Sequence, residues 1–360
     1  MNQQWDRFRL SYLSGYGMKQ DIMNIKNYNF ETGIYRPPSE GGSASLLLRF
    51  TRNCPWNHCT FCAMYKTKKF QLRSITEIRA DIDAMARLTQ ALKSAACAGG
   101  GKITREAAVF LMEKIPELNY HQGFSMLVHW LMAGGKTAFI QDGNSMIMKT
   151  GDLIEALHHL KTTFPAINLV TTYARARTLV QKSSSDLLAI RKAGLDRLHL
   201  GLETGDDALL KKIKKGVTSE GQIQGGQKAL AAGFQVSEYW MPGLGGRALT
   251  LAHAENTARV LNAINPHYIR SRPFRAIADT PLHTRIQAGE IHTLSPREQL
   301  MELKQMITAL EVTSRVCFDH ARNNWRNARG QILFTHDYEG YKFPDQKPKV
   351  LNLIEEGLAR

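Results

Sequence analysis

Apolar positions along the chain follow two rhythms. Short apolar runs read as buried strands at 45–50 (SLLLRF), 137–141, 167–172, 196–202 (DRLHLGL), 234–241 and 267–272. Between these runs apolar residues recur at helical spacing. Ile75, Ile78, Ile82 and Met85 follow the capping signature Ser74…Glu77 and predict the first helix. Further helices are predicted over 152–160, up to Ala193-Gly194, over 206–215, from Ser219 to Gly233 and over 249–263. Gly194 suits a left-handed helix end. Ser219…Gln222 and Ser295…Glu298 read as two more capping boxes, the second with Pro296 at the tolerated first helical position and a long helix behind it.

Strands alternating with helices imply a parallel sheet with right-handed crossovers. Six such units predict an α/β fold, a partial (β/α)6 barrel resembling a TIM barrel, with a doubly wound open sheet as the alternative. Two stretches break the rhythm. Residues 89–135 exceed an ordinary connection and carry helical patterns at 107–114 and 124–132, separated by Pro116. They read as a helical insertion. Residues 312–360 form a tail rich in His, Arg, Asn and aromatics, expected to cover an open end of the barrel. The organisation expected is therefore a leader with aromatic anchors at 1–44, a barrel at 45–311 and the tail.

Composition adds limits. A hydrophobic content of 43% with 22% charged residues is ordinary for a globular chain. The start, MNQQWDRFRL, has no apolar signal core, and no long apolar run reads as a membrane span, so the expected compartment is the cytoplasm. The balance of 47 basic against 32 acidic residues gives a net charge of +15. That excess fits polyanions, acidic small molecules or a solvated lysine surface.

Five cysteines are present, three of them in one loop: Cys54, Cys59 and Cys62. Cys97 and Cys317 stand alone and read as buried thiols. Thiolates bind soft metals. Structural zinc commonly takes four closed ligands, and no second cysteine pair follows. A thiol redox pair at Cys59 and Cys62 leaves Cys54 without a role. An iron–sulfur cluster with three thiolate ligands uses all three and leaves one iron open to a small molecule.

On these residues the chain resembles the radical S-adenosylmethionine (SAM) superfamily, in the branch of the elongator catalytic subunit and the oxygen-independent coproporphyrinogen oxidase. The resemblance spans roughly 45–310. The loop departs from the usual Cys-x-x-x-Cys-x-x-Cys by one extra residue between Cys54 and Cys59, and Phe61 supplies the aromatic before the last cysteine. The resemblance implies a 4Fe–4S cluster on Cys54, Cys59 and Cys62, with SAM on its open iron. It implies adenine packing by Phe61 and a SAM amino-group site at Asp142, Gly143 and Asn144, where relatives carry Gly-Gly-Glu. It also implies SAM contacts from Glu203 and Thr204 and a close backbone approach at Met241, Pro242 and Gly243. Arg270 or Arg272 would pair with a carboxylate. Tyr173 and Arg175 at the third strand, and Asp319, His320, Arg322 and Trp325 in the tail, are further candidates for the pocket. The implied reaction is one-electron reductive cleavage of SAM to a 5′-deoxyadenosyl radical that abstracts hydrogen from a substrate. A flavodoxin or ferredoxin would supply the electron. The substrate is expected to be a small metabolite or cofactor precursor, with RNA as the alternative. Outside this family, the alternative is a zinc-stabilised nucleic-acid-binding protein.

Overall fold

The computed structural model describes residues 25–34, 44–97 and 101–359. Residues 1–24 and 35–43 of the expected leader lie outside the described residues. Eight strands form the main sheet: β1 (Leu46–Arg49), β4 (Thr137–Gln141), β5 (Leu169–Ala174), β6 (Arg197–Glu203), β7 (Gln235–Trp240), β8 (Tyr268–Ser271), β9 (Arg315–Cys317) and β10 (Tyr341–Lys342). Those from β1 to β9 pair in parallel in that order, and β10 runs antiparallel to β9 at the edge. A separate antiparallel pair, β2 (Thr51–Arg52) with β3 (Gln71–Leu72), closes the base of the cysteine loop.

All six expected strands are present, and the sheet continues past them. The stretch read as a covering tail supplies β9 and β10, so part of it completes the sheet. The strands carry apolar residues on both faces, as a sheet covered on both faces requires. Leu198, Leu200 and Leu202 face outward and are buried under helices. Phe139, Tyr173, His199 and Tyr239 face inward, and their rings meet across four adjacent strands.

The sheet curls. On a flat sheet β1 and β8 would lie about 24 Å apart. Yet Thr60, in the loop after β1, accepts from the Leu282 backbone beyond β8 at 3.0 Å, and its own N–H donates to Ile213 beyond β6 at 2.9 Å. With β1 and β10 as free edges, the fold is a partial barrel.

The helices follow the pattern closely: α1 (Ile75–Cys97), α2 (Arg105–Lys114), α3 (Phe124–Met132), α4 (Thr150–Thr163), α5 (Ala176–Gln181), α6 (Ser184–Lys192), α7 (Asp207–Lys212), α8 (Ser219–Ala231), α9 (Gly246–Ile264), α10 (Pro281–Gln287), α11 (Pro296–Ala309) and α12 (Lys347–Leu358). The boxes at Ser74 and Ser295 form as expected. The one expected at Ser219 does not. Thr218 caps α8, Ser219 binds Asp207, and Gln222 donates to the Leu202 and Thr204 carbonyls. Gln222 is thereby spent on fixing the end of β6. In the insertion, α2 and α3 are joined by a short 3-10 turn beginning at Pro116. Of the leader's described residues, Tyr28 and Phe30 are buried against the core. Cys317 is buried, but Cys97 is exposed at the end of α1 rather than enclosed. No helix among the described residues is long and apolar enough to cross a membrane.

Candidate functional site

The cysteine loop is an excursion of residues 53–70 pinned at its base by the β2–β3 pair. Two asparagines take the left-handed conformation that its turns demand, Asn53 at φ 69° and Asn57 at φ 47°. Their side chains tie the loop to itself: Asn53 Nδ2 donates to Lys69 O at 2.6 Å and Asn57 Nδ2 to Tyr65 O at 2.5 Å. The extra residue between Cys54 and Cys59 falls in the Pro55–His58 segment that carries Trp56. Its indole donates to Lys214 O at 2.7 Å, and Arg175 stacks over its ring at 4.8 Å. Gly216, at φ +73°, leaves room for that indole, whose ring carbon lies 2.3 Å from where a Cβ would stand. The longer gap thus gives the loop an anchor on the far side of the barrel mouth.

A second anchor is Asp142 at the end of β4. Its carboxylate is fully buried and accepts from Arg49 Nε at 2.8 Å, Asn53 N at 2.9 Å and the Tyr65 hydroxyl at 3.0 Å. All three donors belong to β1 or the cysteine loop, so Asp142 braces the loop and does not line the cavity. Gly143 does line it. A Cβ there would lie 3.4 Å from Cys54 Sγ, and glycine permits this approach.

The loop and the strand ends enclose a cavity of about 210 Å³. Cys54, Cys59 and Cys62 all border it, each half-buried. Of the other residues singled out in the sequence, Phe61, Gly143, Glu203, Met241 and Arg272 border it too, as do Tyr173, Arg175 and Arg322. Asn144, Thr204, Pro242 and Gly243 do not. Asn144 is buried with its amide nitrogen on Thr178. Thr204 bonds Nδ1 of His253 at 2.7 Å, while Nε2 of the same ring donates to Met241 O at 3.0 Å, so His253 clamps the ends of β6 and β7 together. Gly243 N donates to Glu302 at 2.6 Å. Arg270 is turned away into an ion pair with Asp319 at 3.1 Å, with its guanidinium over the Tyr338 ring at 3.8 Å. Trp325 is buried with its indole on Pro296 O.

Sequence reasoning missed Lys215. It lies in the turn after α7, and its ammonium meets Glu203 at 2.7 Å inside the cavity. Glu203 sits at a register shift between β6 and β7 with φ 63°, a costly conformation for a non-glycine residue. Burial pulls Lys215 down, but Glu203 and Cys59 outweigh it, and its pKa stands above the usual lysine value. Burial pushes the Cys59 and Cys62 thiols up, and at Cys59 the charges of Lys215 and Arg175 oppose that rise. Lys215 follows Glu203 by twelve residues, beyond α7, and no local pattern in the sequence marks it.

These residues fit a cluster better than a lone ion. Among the described residues no three His, Cys, Asp or Glu side chains converge as a single ion requires. Three thiols instead border a wider space, with two cations beside them to offset the charge of a thiolate-ligated cluster. Phe61 and Met241 pack in one apolar group with Leu244 and Phe274, giving a flat apolar surface beside the thiols.

Comparison with known proteins gives the same picture. Residues 48–261 match the model of the Radical SAM superfamily. The heme chaperone HemW of Bacillus subtilis is 27% identical over 176 residues, covering 48% of this chain and 45% of that protein. The chain thus spans less than half the length of the curated relative it matches. Solved structures that resemble it include archaeal Elp3 from Methanocaldococcus infernus (16% identity, TM-score 0.43, 62% of this chain and 55% of that one). The coproporphyrinogen III oxidase HemN of Escherichia coli also resembles it (15% identity, TM-score 0.43, 73% and 51%). With well over half of its length matched, and with the cysteine loop inside the matched region, the chain belongs to the radical SAM superfamily, enzymes that use a 4Fe–4S cluster together with SAM.

Proposed function

We propose that Cys54, Cys59 and Cys62 hold the 4Fe–4S cluster, that SAM occupies the adjoining cavity, and that the substrate is a small molecule. The observation that carries this reading is the meeting of the three thiols with Phe61, Glu203, Met241 and Arg272 around one cavity. When bound, the cluster and SAM supply one-electron cleavage of a sulfonium, giving an organic radical able to take hydrogen from a substrate.

The chain's own residues place and shield those groups. Phe61 and Met241 offer apolar contact to the adenine. Glu203 accepts from ribose hydroxyls or an ammonium, with Lys215 holding its carboxylate in place. The Gly143 backbone lies against Cys54. Arg272 offers a guanidinium to the SAM carboxylate. Asp142, Thr204 and Gly243 act one layer back, by fixing the loop and the strand ends. Residues 45–311 form the catalytic barrel in this reading, and the segment after it closes the open side, from which Arg322 reaches the cavity. An electron donor such as flavodoxin or ferredoxin completes the system.

Anaerobic reconstitution with iron and sulfide tests the proposal. The expected product is a brown protein that cleaves SAM under dithionite. Cys59→Ala is expected to lose both the iron and the cleavage. A colourless protein holding stoichiometric zinc, or full SAM cleavage by the Cys59 variant, overturns the ligand assignment.

A further inference from the structure

The cysteine loop has an outer side as well as a cavity side. Residues 53–70 contain no Asp or Glu, and neither do 175–183 or 208–218. These three segments meet at Trp56. Its indole donates to Lys214 O at 2.7 Å, and Arg175 and Arg177 lie over its ring at 4.8 and 5.9 Å. Thr60 N donates to Ile213 O at 2.9 Å, beside the same turn. On the return limb of the loop, Asn57 Nδ2 reaches Lys68 O at 3.4 Å and Asn53 Nδ2 reaches Lys69 O at 2.6 Å. The carboxylates that flank 208–218 are spent locally. Asp207 accepts from Ser219, and Glu220 accepts from Gln224.

Six cations stand on these segments: Lys68, Lys69, Arg177, Lys211, Lys212 and Lys214. All six are exposed, and none borders the cavity. Among the described residues none of them forms an ion pair. Trp56 joins one group of lysines and Asn57 the other, and the next residue is His58. Its ring is exposed and meets the Trp56 indole edge-on at 5.0 Å. Cys59 follows directly. The extra residue of the Cys54–Cys59 gap therefore falls in the segment that builds the centre of this face.

We infer that this outer side of the cysteine loop is the docking face for the electron donor, an acidic redox protein, and that the electron enters beside His58 and Cys59. The inference rests on the reading of the three thiols as cluster ligands. With a flavin donor, one electron leaves the reduced flavin, which becomes the semiquinone, and arrives at the cluster; no bond is made or broken. A carrier of electrons needs only to come close to the thiols. A substrate must enter the cavity, which these cations do not border. Exposed charges of one sign steer an oppositely charged partner and set its rate of encounter. Two observations favour a protein over RNA. Single-stranded nucleic acid is held by free aromatic platforms, and the Trp56 ring is already covered by Arg175 and Arg177. Five of the six cations are lysines, hydrated point charges, where phosphate recognition favours the arginine fork.

The first test is carbodiimide cross-linking of the full-length protein to a flavodoxin, mapped by peptide mass spectrometry. Lysines 68, 69, 211, 212 and 214 are expected to join flavodoxin carboxylates. Lys93 and Lys192, exposed near the C-terminal ends of α1 and α6, should not. Cross-links spread evenly over all of these lysines overturn the inference. So does their absence from the face while a short single-stranded RNA protects the same lysines from acetylation. In a second arm, cluster-loaded protein is mixed without oxygen with reduced flavodoxin, and bleaching of the cluster is followed in time. Reversing the charge with Lys68→Glu, Lys69→Glu, Lys212→Glu and Lys214→Glu should slow reduction about a hundredfold at low salt. The Gln versions, a milder change should the reversed chain fail to fold, should slow it about tenfold. In about 1 M salt, where charges are screened within about 3 Å, variant and parent should agree within about twofold. Photoreduced deazariboflavin, small and uncharged, should reduce variant and parent at equal rates. Reduction of the variants by flavodoxin at the parent rate in low salt, or equal slowing with deazariboflavin, overturns the docking face. The cross-linking needs neither iron nor SAM. A failure of cluster assembly therefore counts against the proposed function alone, and a failure of cross-linking counts against the docking face alone.

Discussion

Two sides of the barrel mouth use arginine in opposite ways. Beside β1, Arg49, Arg52 and Arg73 are interleaved with Glu31, Glu77, Asp81 and Asp142, with ion pairs as short as 2.6 Å. Beside β8 and β9, Arg272, Arg275 and Arg322 border a cavity in which, among the described residues, Glu203 is the one lining carboxylate and is held by Lys215. On the first side charge is closed within the protein, and its work is to hold the root of the cysteine loop. On the second side the guanidiniums of Arg272, Arg275 and Arg322 border the cavity beside the cysteine loop. The contrast teaches that an arginine's place is set by what it faces, a carboxylate of the scaffold or the cavity, not by burial alone. Arg270 is buried on the second side yet behaves like those of the first, because Asp319 answers it.

The sharpest way to break this comparison is to open the closed side. Asp142→Ala leaves the buried Tyr65 hydroxyl and the Asn53 N–H without their acceptor and takes from Arg49 one of its two carboxylate partners. Removing one partner of a buried pair typically costs about 3–5 kcal/mol. Chemical denaturation should show a loss of that size. Reconstituted iron content should fall with it, because the loop that carries the thiols loses its brace. A variant as stable as the parent would show that Asp142 is not what holds the loop.

A third carboxylate tests the rule from the other direction. Glu238 on β7 is buried beneath the helices, and its Oε2 has no hydrogen-bond partner. Burial pushes its pKa well above the ordinary value, with the charge of Lys215 opposing the rise and that of Glu203 adding to it. The fold therefore favours the neutral acid over the carboxylate, relative to the unfolded chain. Its contribution to stability is complete below the ordinary glutamate value and falls as pH rises from there, by about 1.4 kcal/mol per pH unit. Glu238→Gln should match the parent near pH 4 and gain on it as pH rises above the ordinary glutamate value. Denaturant midpoints across that range check the divergence, and parallel curves would refute it.

Glu31 has the reverse sign. Burial pushes its carboxyl up, but the Arg52 hydrogen bond and the charges of Arg73, Arg49 and Arg52 outweigh that and hold it below the usual value. Its stabilisation is present above the ordinary glutamate value and is lost as pH falls through the depressed one. Glu31→Gln should cost about 1 kcal/mol at neutral pH, a modest figure for a partly exposed pair, and nothing in strong acid. A cost that persists in strong acid would point to packing, not charge, as what Glu31 supplies.

The sequence made legible whatever depends on near neighbours. The six strands announced themselves because a strand covered on both faces must be continuously apolar, as in Leu198, Leu200 and Leu202. The helix starts at Ser74 and Ser295 were readable because capping is a three-residue affair. The thiol loop was readable for the same reason. Direction and distance were not. Asp142 occupies the strand end where the resemblance implies a SAM contact, yet its side chain points to Arg49 and Tyr65, which no local pattern reveals. Gln222 looked like a cap and instead serves the carbonyls at the end of β6. Lys215 turns back onto Glu203 only once α7 has formed, and Arg322 comes to Pro273 only when the last segment folds back. β9 escaped notice because a strand of three residues carries too little periodicity to read.

The smallest expected effect is on the open side, and its smallness is the point. Arg275 is exposed and forms no ion pair among the described residues. Removing its charge deletes no counter-ion contact and exposes nothing, so Arg275→Gln should change stability by no more than about 0.5 kcal/mol. The same substitution applied to Arg49 removes a charge from between Glu31 and Asp142 and should cost several times more. Side-by-side denaturation of the two variants reads the difference directly. If Arg275→Gln destabilised the protein as much as Arg49→Gln, its charge would be closed within the fold after all, and the wall of β8 and β9 would belong to the scaffold.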